Sequence, residues 1–122
     1  VAVTRVSGQL RAYVNGVLKT GPHTVTNDYT RTLFYIGATF DTYSMEGYIT
    51  NIRLVVGNAL YSGNTYTVPT KPLAAITDTV FLLTADTTAT YITDTGPNNI
   101  AITNNSAGNS DVISWYNDTP FV

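Results

Sequence analysis

His23 is the single histidine of the chain, and cysteine is absent. A Ser-His-Asp triad would have to draw its base from His23, yet no Gly-x-Ser-x-Gly elbow supplies a nucleophile. One imidazole and no thiolate leave only carboxylates to complete a zinc site, which departs from the nitrogen and sulfur sets that zinc favours. His23 follows Gly21-Pro22 in a polar stretch and reads as a solvated loop histidine. Asp41 and Glu46 flank a polar loop and are the nearest approach to a carboxylate pair. Glycoside hydrolysis needs two carboxyls about 5–9.5 Å apart, and the closely spaced Glu-x-Asp-x-x-Glu arrangement on one strand is absent. A solvated loop is the simpler reading. Asp41 with loop carbonyls would offer hard oxygen ligands, so calcium is the one cofactor left open; otherwise none is expected. These residues make no catalytic set, and the chain is read as a non-enzyme.

The remaining chemistry is aromatic. Tyr43, Tyr61, Tyr66, Trp115 and Tyr116, with Tyr29 and Tyr91, are candidates for stacking on a glycan or for contact at a protein interface. A ring face suits the apolar CH surface of a sugar, and the phenol adds a polar handle. Tyrosine is also ordinary on sheet faces and enriched at interfaces, so the two readings stand side by side. Trp115 is expected to pack against a neighbouring unit or subunit. Arg53 is expected on a sheet face, paired with a carboxylate or stacked on a tyrosine. Asn104-Asn105-Ser106 and Asn117-Asp118-Thr119 match glycosylation acceptors, a pattern common by chance.

The elements that must position these residues are strands. Charged residues are only 11%, against about 25% in an ordinary soluble domain. Threonine is the commonest residue, beside 9 Tyr and 9 Gly. β-Branched and aromatic side chains suit a pleated, half-buried surface. Val1 to Val6 alternates, Ser7-Gly8 turns, and Leu10, Ala12 and Val14 fall on one face with Arg11 and Tyr13 on the other. Asn15-Gly16 is the strongest hairpin signal, since both residues tolerate the positive φ of a type I′ turn. Val17 to Lys19 returns, completing a three-stranded meander that Gly21-Pro22 breaks. A short strand over Thr24 to Thr26, a buried strand over Thr32 to Gly37 and a long strand over Gly47 to Val56 follow. Asn58 to Tyr61 could form one helical turn, and Pro69 and Pro72 restrict their segment to an edge or linker. Further strands are expected over Thr79 to Thr84, Ile100 to Thr103 and Val112 to Tyr116. Many short strands with regular turn signals predict an all-β antiparallel sandwich.

Net charge is −2 and the pI about 4.9. No basic stripe is available to neutralise phosphates, so nucleic acid is not an expected partner. No apolar run approaches the about 20 residues of a membrane span, and no cationic amphipathic helix suggests membrane insertion. The chain opens in mid-strand at Val1 with no Met, which reads as a piece of a longer polypeptide.

Val1 to Arg5 followed by Leu10-Arg11-Ala12-Tyr13-Val14-Asn15-Gly16-Val17-Leu18 resembles the centre of laminin-G-like (concanavalin-A-like) jelly-roll domains. In those, a strand ending in arginine feeds a hairpin with a tight Asn-Gly or Asp-Gly turn. Leu33-Phe34-Tyr35-Ile36-Gly37 is similar to the family's next strand. Gly47 to Tyr61 resembles its Gly-Tyr-Ile-Asp-Asp-Leu-Arg strand and the Gly-x-Ala-x-Tyr segment after it. Thr50 and Asn51 stand where the family has two aspartates, which argues against a cation site there. Leu82-Leu83-Thr84, Ile92-Thr93-Asp94, Asn98 to Asn105 and Pro120-Phe121 are similar to segments between tandem units in phage and marine-virus (cyanophage-type) proteins. The family's early strands have no counterpart here. The resemblance therefore implies that residues 1–75 are the second half of a laminin-G-like sandwich and that 76–122 are closing strands or a lead-in to a following unit. It further implies a virion structural protein, of a tail fibre, head fibre or capsid decoration, that assembles with copies of itself or with other virion proteins on the particle surface. The alternative is a module that binds host-surface carbohydrate.

Overall fold

A computed structural model describes residues 1–30, 33–39, 43–84 and 93–103. Among them there is no helix, and every strand pairing is antiparallel. The chain is all-β. It divides into two compact units that interleave in sequence, Val1–Ile49 with Ala59–Val68, and Thr50–Asn58 with Pro69–Val122.

The first unit is built on the expected meander. β1 (Ala2–Val6), β2 (Gln9–Val14) and β3 (Val17–Thr24) form a sheet in that order. Both links are two-residue turns whose residues lie in the left-handed region: Ser7 and Gly8 at φ 49 and 71, Asn15 and Gly16 at φ 50 and 77. That geometry matches the strand twist and sets the register without a longer loop. β1 pairs with β2 without interruption, Ala2 opposite Tyr13 through Val6 opposite Gln9. β3 runs farther than the return expected from the sequence. It passes through Gly21-Pro22 to Thr24 by means of two register shifts against β2. Proline is tolerated here because the strand is an edge and the pairing bulges. Gly21 is needed because a Cβ would stand 2.4 Å from the Leu10 carbonyl oxygen. His23 therefore lies in a strand rather than in a loop, with Nε2 2.7 Å from Thr20 Oγ1.

The same unit holds a small hairpin of β4 (Ala38–Thr39) and β5 (Tyr43–Ser44), extended by a Met45 N–H to Gly37 carbonyl bond of 2.7 Å. Residues 33–37 do not form the buried strand expected of them. Leu33, Phe34 and Tyr35 are 70%, 47% and 45% exposed, and no described strand lies beside them. Apolar runs become buried strands only where a neighbour offers a ladder.

The second unit pairs β6 (Ile52–Val55) with β7 (Thr79–Leu83). β6 is shorter than the Gly47 to Val56 strand expected. Asn51 takes φ 56, and its side-chain oxygen accepts the Leu73 N–H at 3.2 Å, which ends the extended run. Arg53 donates to the Ala74 carbonyl at 2.9 Å, a backbone acceptor in place of the carboxylate or ring expected. No helical turn forms over Asn58 to Tyr61.

β7 is buried along nearly its whole length, at Thr79, Phe81, Leu82 and Leu83. Its other edge is met by a turn rather than a strand. Asp94 Oδ1 accepts the N–H groups of Leu82 and Gly96, both at 2.8 Å, and Oδ2 accepts that of Ile100 at 2.7 Å. The Thr95 N–H donates to the Leu82 carbonyl at 2.8 Å, and Asn98 reaches the Val80 carbonyl at 3.2 Å. The Ile100 amide is thus spent on a carboxylate, and the expected strand over Ile100 to Thr103 is not formed. Burial by itself would raise the Asp94 carboxyl; the three amides outweigh it and hold the group below its ordinary value. The expected strand over Val112 to Tyr116 lies outside the described residues.

Two outcomes are expected. Gly16→Ala brings a Cβ to 2.5 Å from the Tyr66 carbonyl oxygen at φ 77, so urea unfolding should show a loss of more than about 1 kcal/mol. Asp94 is depressed in the fold, so its contribution is complete above the unfolded carboxyl value and is lost as pH falls through the lower folded one. In Asp94→Asn an amide group would face the Ile100 N–H. The variant should be less stable at neutral pH, and the gap to the wild type should narrow on acidification, as read from thermal melts across pH.

Candidate functional site

The meander has two different faces, because neighbouring residues on a strand point to opposite sides. Tyr13 lies on the inner face beside Ala2 of β1 and Leu18 of β3. It is fully buried, as is Phe81 of the second unit. What covers it is the segment 59–68. The Tyr13 hydroxyl donates to the Gly63 carbonyl at 2.9 Å, and Thr4 Oγ1 donates to the Tyr61 carbonyl at 2.8 Å. Backbone bonds fasten the same segment to β3 and its turn, Leu18 N–H to Asn64 carbonyl and Tyr66 N–H to Gly16 carbonyl, both 2.8 Å.

Three tyrosines meet there. Tyr61 and Tyr66 stack with ring centroids 4.0 Å apart and planes 17° from parallel. Tyr13 meets both edge-on, at 6.4 Å and 69° and at 5.5 Å and 81°. Edge-to-face and offset-stacked rings are the favoured geometries of aromatic quadrupoles. Burial pushes the Tyr66 hydroxyl above its ordinary value, the neighbouring Tyr61 phenol adds to that, and a backbone bond at Gly16 pulls the other way. Tyr61 and Tyr66 are half-buried, and the stack occupies one face of each ring.

Of the aromatic candidates, then, the fold brings Tyr61 and Tyr66 together. β5 carries the backbone of Tyr43, whose side chain lies outside what is described, as do Trp115, Tyr116 and Tyr91. Asp41 is likewise outside, so its pairing with exposed Glu46 has no geometry to report. Tyr13, which organises the cluster, was not singled out by its chemistry. The alternation, which sets it on the face opposite Leu10, Ala12 and Val14, is the signal the sequence offers, and it does not say which face is covered.

That aliphatic face is the open one. Val1, Val3 and Arg5 of the β1 side, Leu10, Ala12 and Val14 of β2, and Val17 of β3 share it by register. Val3 is 65% exposed, Val17 45% and Val14 41%. Arg5 is the one arginine there. Its guanidinium donates to the Val25 carbonyl at 3.0 Å and lies 5.4 Å from the Tyr29 ring centroid. On the inner face, Arg11 Nη1 is buried without a hydrogen-bond partner. Among the described residues no three His, Cys, Asp or Glu side chains gather as a metal site would require.

No known protein family, no curated protein and no solved structure matches this chain.

The tyrosine cluster yields a graded expectation. Tyr13→Phe removes one hydrogen bond and should cost about 1 kcal/mol. Tyr13→Ala also removes the ring against which Tyr61 and Tyr66 pack, and should cost about 3–5 kcal/mol. Denaturant titration of both variants checks the order.

Proposed function

We propose that this chain is a virion structural protein, a component of a tail fibre, head fibre or capsid decoration, that acts by assembly and surface display. The observation that carries the reading is the amount of apolar side chain left at the surface. Val3, Val17 and Val14 on the meander face are matched by Leu33, Met45 and Ile49 elsewhere in the first unit, at 70%, 49% and 40% exposure. Contiguous exposed apolar surface generally marks a place where another molecule sits. The scarcity of charge supports the same view, since few solvated groups would have to be stripped of water when copies pack. A laminin-G-like jelly-roll sandwich, with further strands laid on the open sheet face, would account for that face as one layer of a two-layer core. Such a protein needs no catalytic residue and no cofactor. Its partners are further copies of the chain or other virion proteins, and its location is the particle surface.

A second reading, a glycan-binding adhesion module, draws on the half-buried Tyr61–Tyr66 stack and the exposed Asn64 between them. The two readings differ in where these surfaces point. A structure of the native particle, traced through this chain and its neighbours, separates them. Assembly expects Val3, Val14, Val17 and Leu33 to be covered by other chains. Finding them in solvent, with the tyrosines around an outward groove and a positive glycan array, would replace assembly by adhesion.

A further inference from the structure

The two edges of the meander are unlike. β3, the far edge, is guarded in several ways. It carries two register shifts, Pro22 and Lys19, and a bridge from Val17 to Thr65 with the Leu18–Asn64 bond beside it. Bulges, prolines, lysines and covering loops are the usual means by which a sheet edge is closed to further pairing. Among the described residues β1 has no bulge, proline or lysine, and its one charged side chain, Arg5, is turned to the Val25 carbonyl and the Tyr29 ring. The five residues of β1 pair with β2 in unbroken register, and no described strand lies on its other side. A regular strand with no described neighbour on one side presents alternate N–H and carbonyl groups there as a template for another strand.

We infer that β1 is a self-pairing edge, and that its open side takes β1 of a second copy, antiparallel across a two-fold axis. This inference rests on the assembly reading and specifies its contact. The self-copy is favoured for three reasons. An antiparallel edge is complementary to itself under a two-fold rotation, so one strand satisfies both partners. With the axis through Val3 or Thr4, residues of like parity stand opposite each other, and the open apolar faces of both copies join on one side. Those two registers also keep Arg5 away from the partner's Arg5: it faces Val1 in one and Val3 in the other. Like charges directly opposite would oppose pairing. The Arg5 guanidinium is in addition already engaged by the Val25 carbonyl and the Tyr29 ring, which leaves its stem to lie along a valine. The result is a six-stranded sheet with one continuous apolar face, to which each copy gives exposed Val3, Val14 and Val17 and half-buried Leu10 and Ala12.

The absence of cysteine makes the test clean. Single cysteines are placed in turn at positions 1 to 6 of the full chain, with Val17→Cys on the guarded edge as reference. Each variant is checked for a native circular dichroism spectrum and oxidised under dilute conditions, and the disulfide-linked dimer is quantified. Light scattering on the unmodified chain gives its oligomeric state. The expected result is a dimer by scattering, with crosslinking greatest at Val3 or Thr4, falling on either side, and about tenfold above Val17→Cys, because a disulfide needs Cα atoms within about 7 Å. Self-association with no maximum along β1 would overturn this contact and leave the assembly reading in place. A chain that stays monomeric at every concentration would remove both.

Discussion

The first unit depends on one side chain placed where water cannot reach it. Tyr13 sits at the middle of the meander, and its ring is too large to be covered by three strands alone. The segment 59–68 closes over it, and each fastening of that segment is a specific bond: phenol to Gly63 carbonyl, Thr4 hydroxyl to Tyr61 carbonyl, and backbone pairs at Leu18–Asn64 and Gly16–Tyr66. The buried hydroxyl must find an acceptor, because an unmatched one would carry its full desolvation cost. That requirement sets the height of the segment above the sheet. Tyr61 and Tyr66 then pack as a stacked pair that Tyr13 meets edge-on. A turn residue is drawn in as well. Gly16 lies so close to the Tyr66 carbonyl that no side chain fits, so the hairpin and the covering segment constrain each other.

The second unit solves a similar difficulty with a carboxylate. Among the described residues β6 is the one strand beside β7, and a strand of such apolar character needs its other backbone groups satisfied out of water. Asp94 and Thr95 do this for Leu82, accepting its N–H and donating to its carbonyl, while Asp94 also gathers the amides of Gly96 and Ile100. One side chain thereby ties a turn to a strand and keeps its charge in a buried place. Gly96 is obligatory for a steric reason, since a Cβ would approach Asp94 Oδ1 to 2.8 Å. Both units thus use specific polar contacts to close a side of a sheet where no further strand lies among the described residues.

The same economy leaves much apolar surface uncovered. With 11% charged residues, the chain has little solvated surface to hold it apart from its neighbours. The assembly reading follows from that balance together with the open face of the meander. The glycan reading draws on rings that are already half spent on one another, and a stacked pair offers a ligand only its outer faces.

Much of the local structure was legible in the residues. The Ser7-Gly8 and Asn15-Gly16 turns, the period of β1 and β2, the strand at β7 and the all-β class follow from backbone preferences and alternation, which are short-range properties. The failures share a cause. Leu33 to Gly37 and Ile100 to Thr103 have the composition of strands but do not take that form, and pairing is a matter of what lies beside a segment rather than what is in it. β3 ran on through Gly21-Pro22 because an edge can bulge where a central strand cannot. Alternation showed that Tyr13 and the Leu10, Ala12 and Val14 set lie on opposite faces; it could not show which face would be covered. That choice belongs to the segment 59–68, some fifty residues away, whose aromatic rings and carbonyls match Tyr13 and not the valines. The sequence by itself determined that this chain makes antiparallel strands with tight turns and carries few charges. Only the tertiary structure decided which side of those strands became the interior, because burial is set by contacts between distant residues that no local pattern encodes.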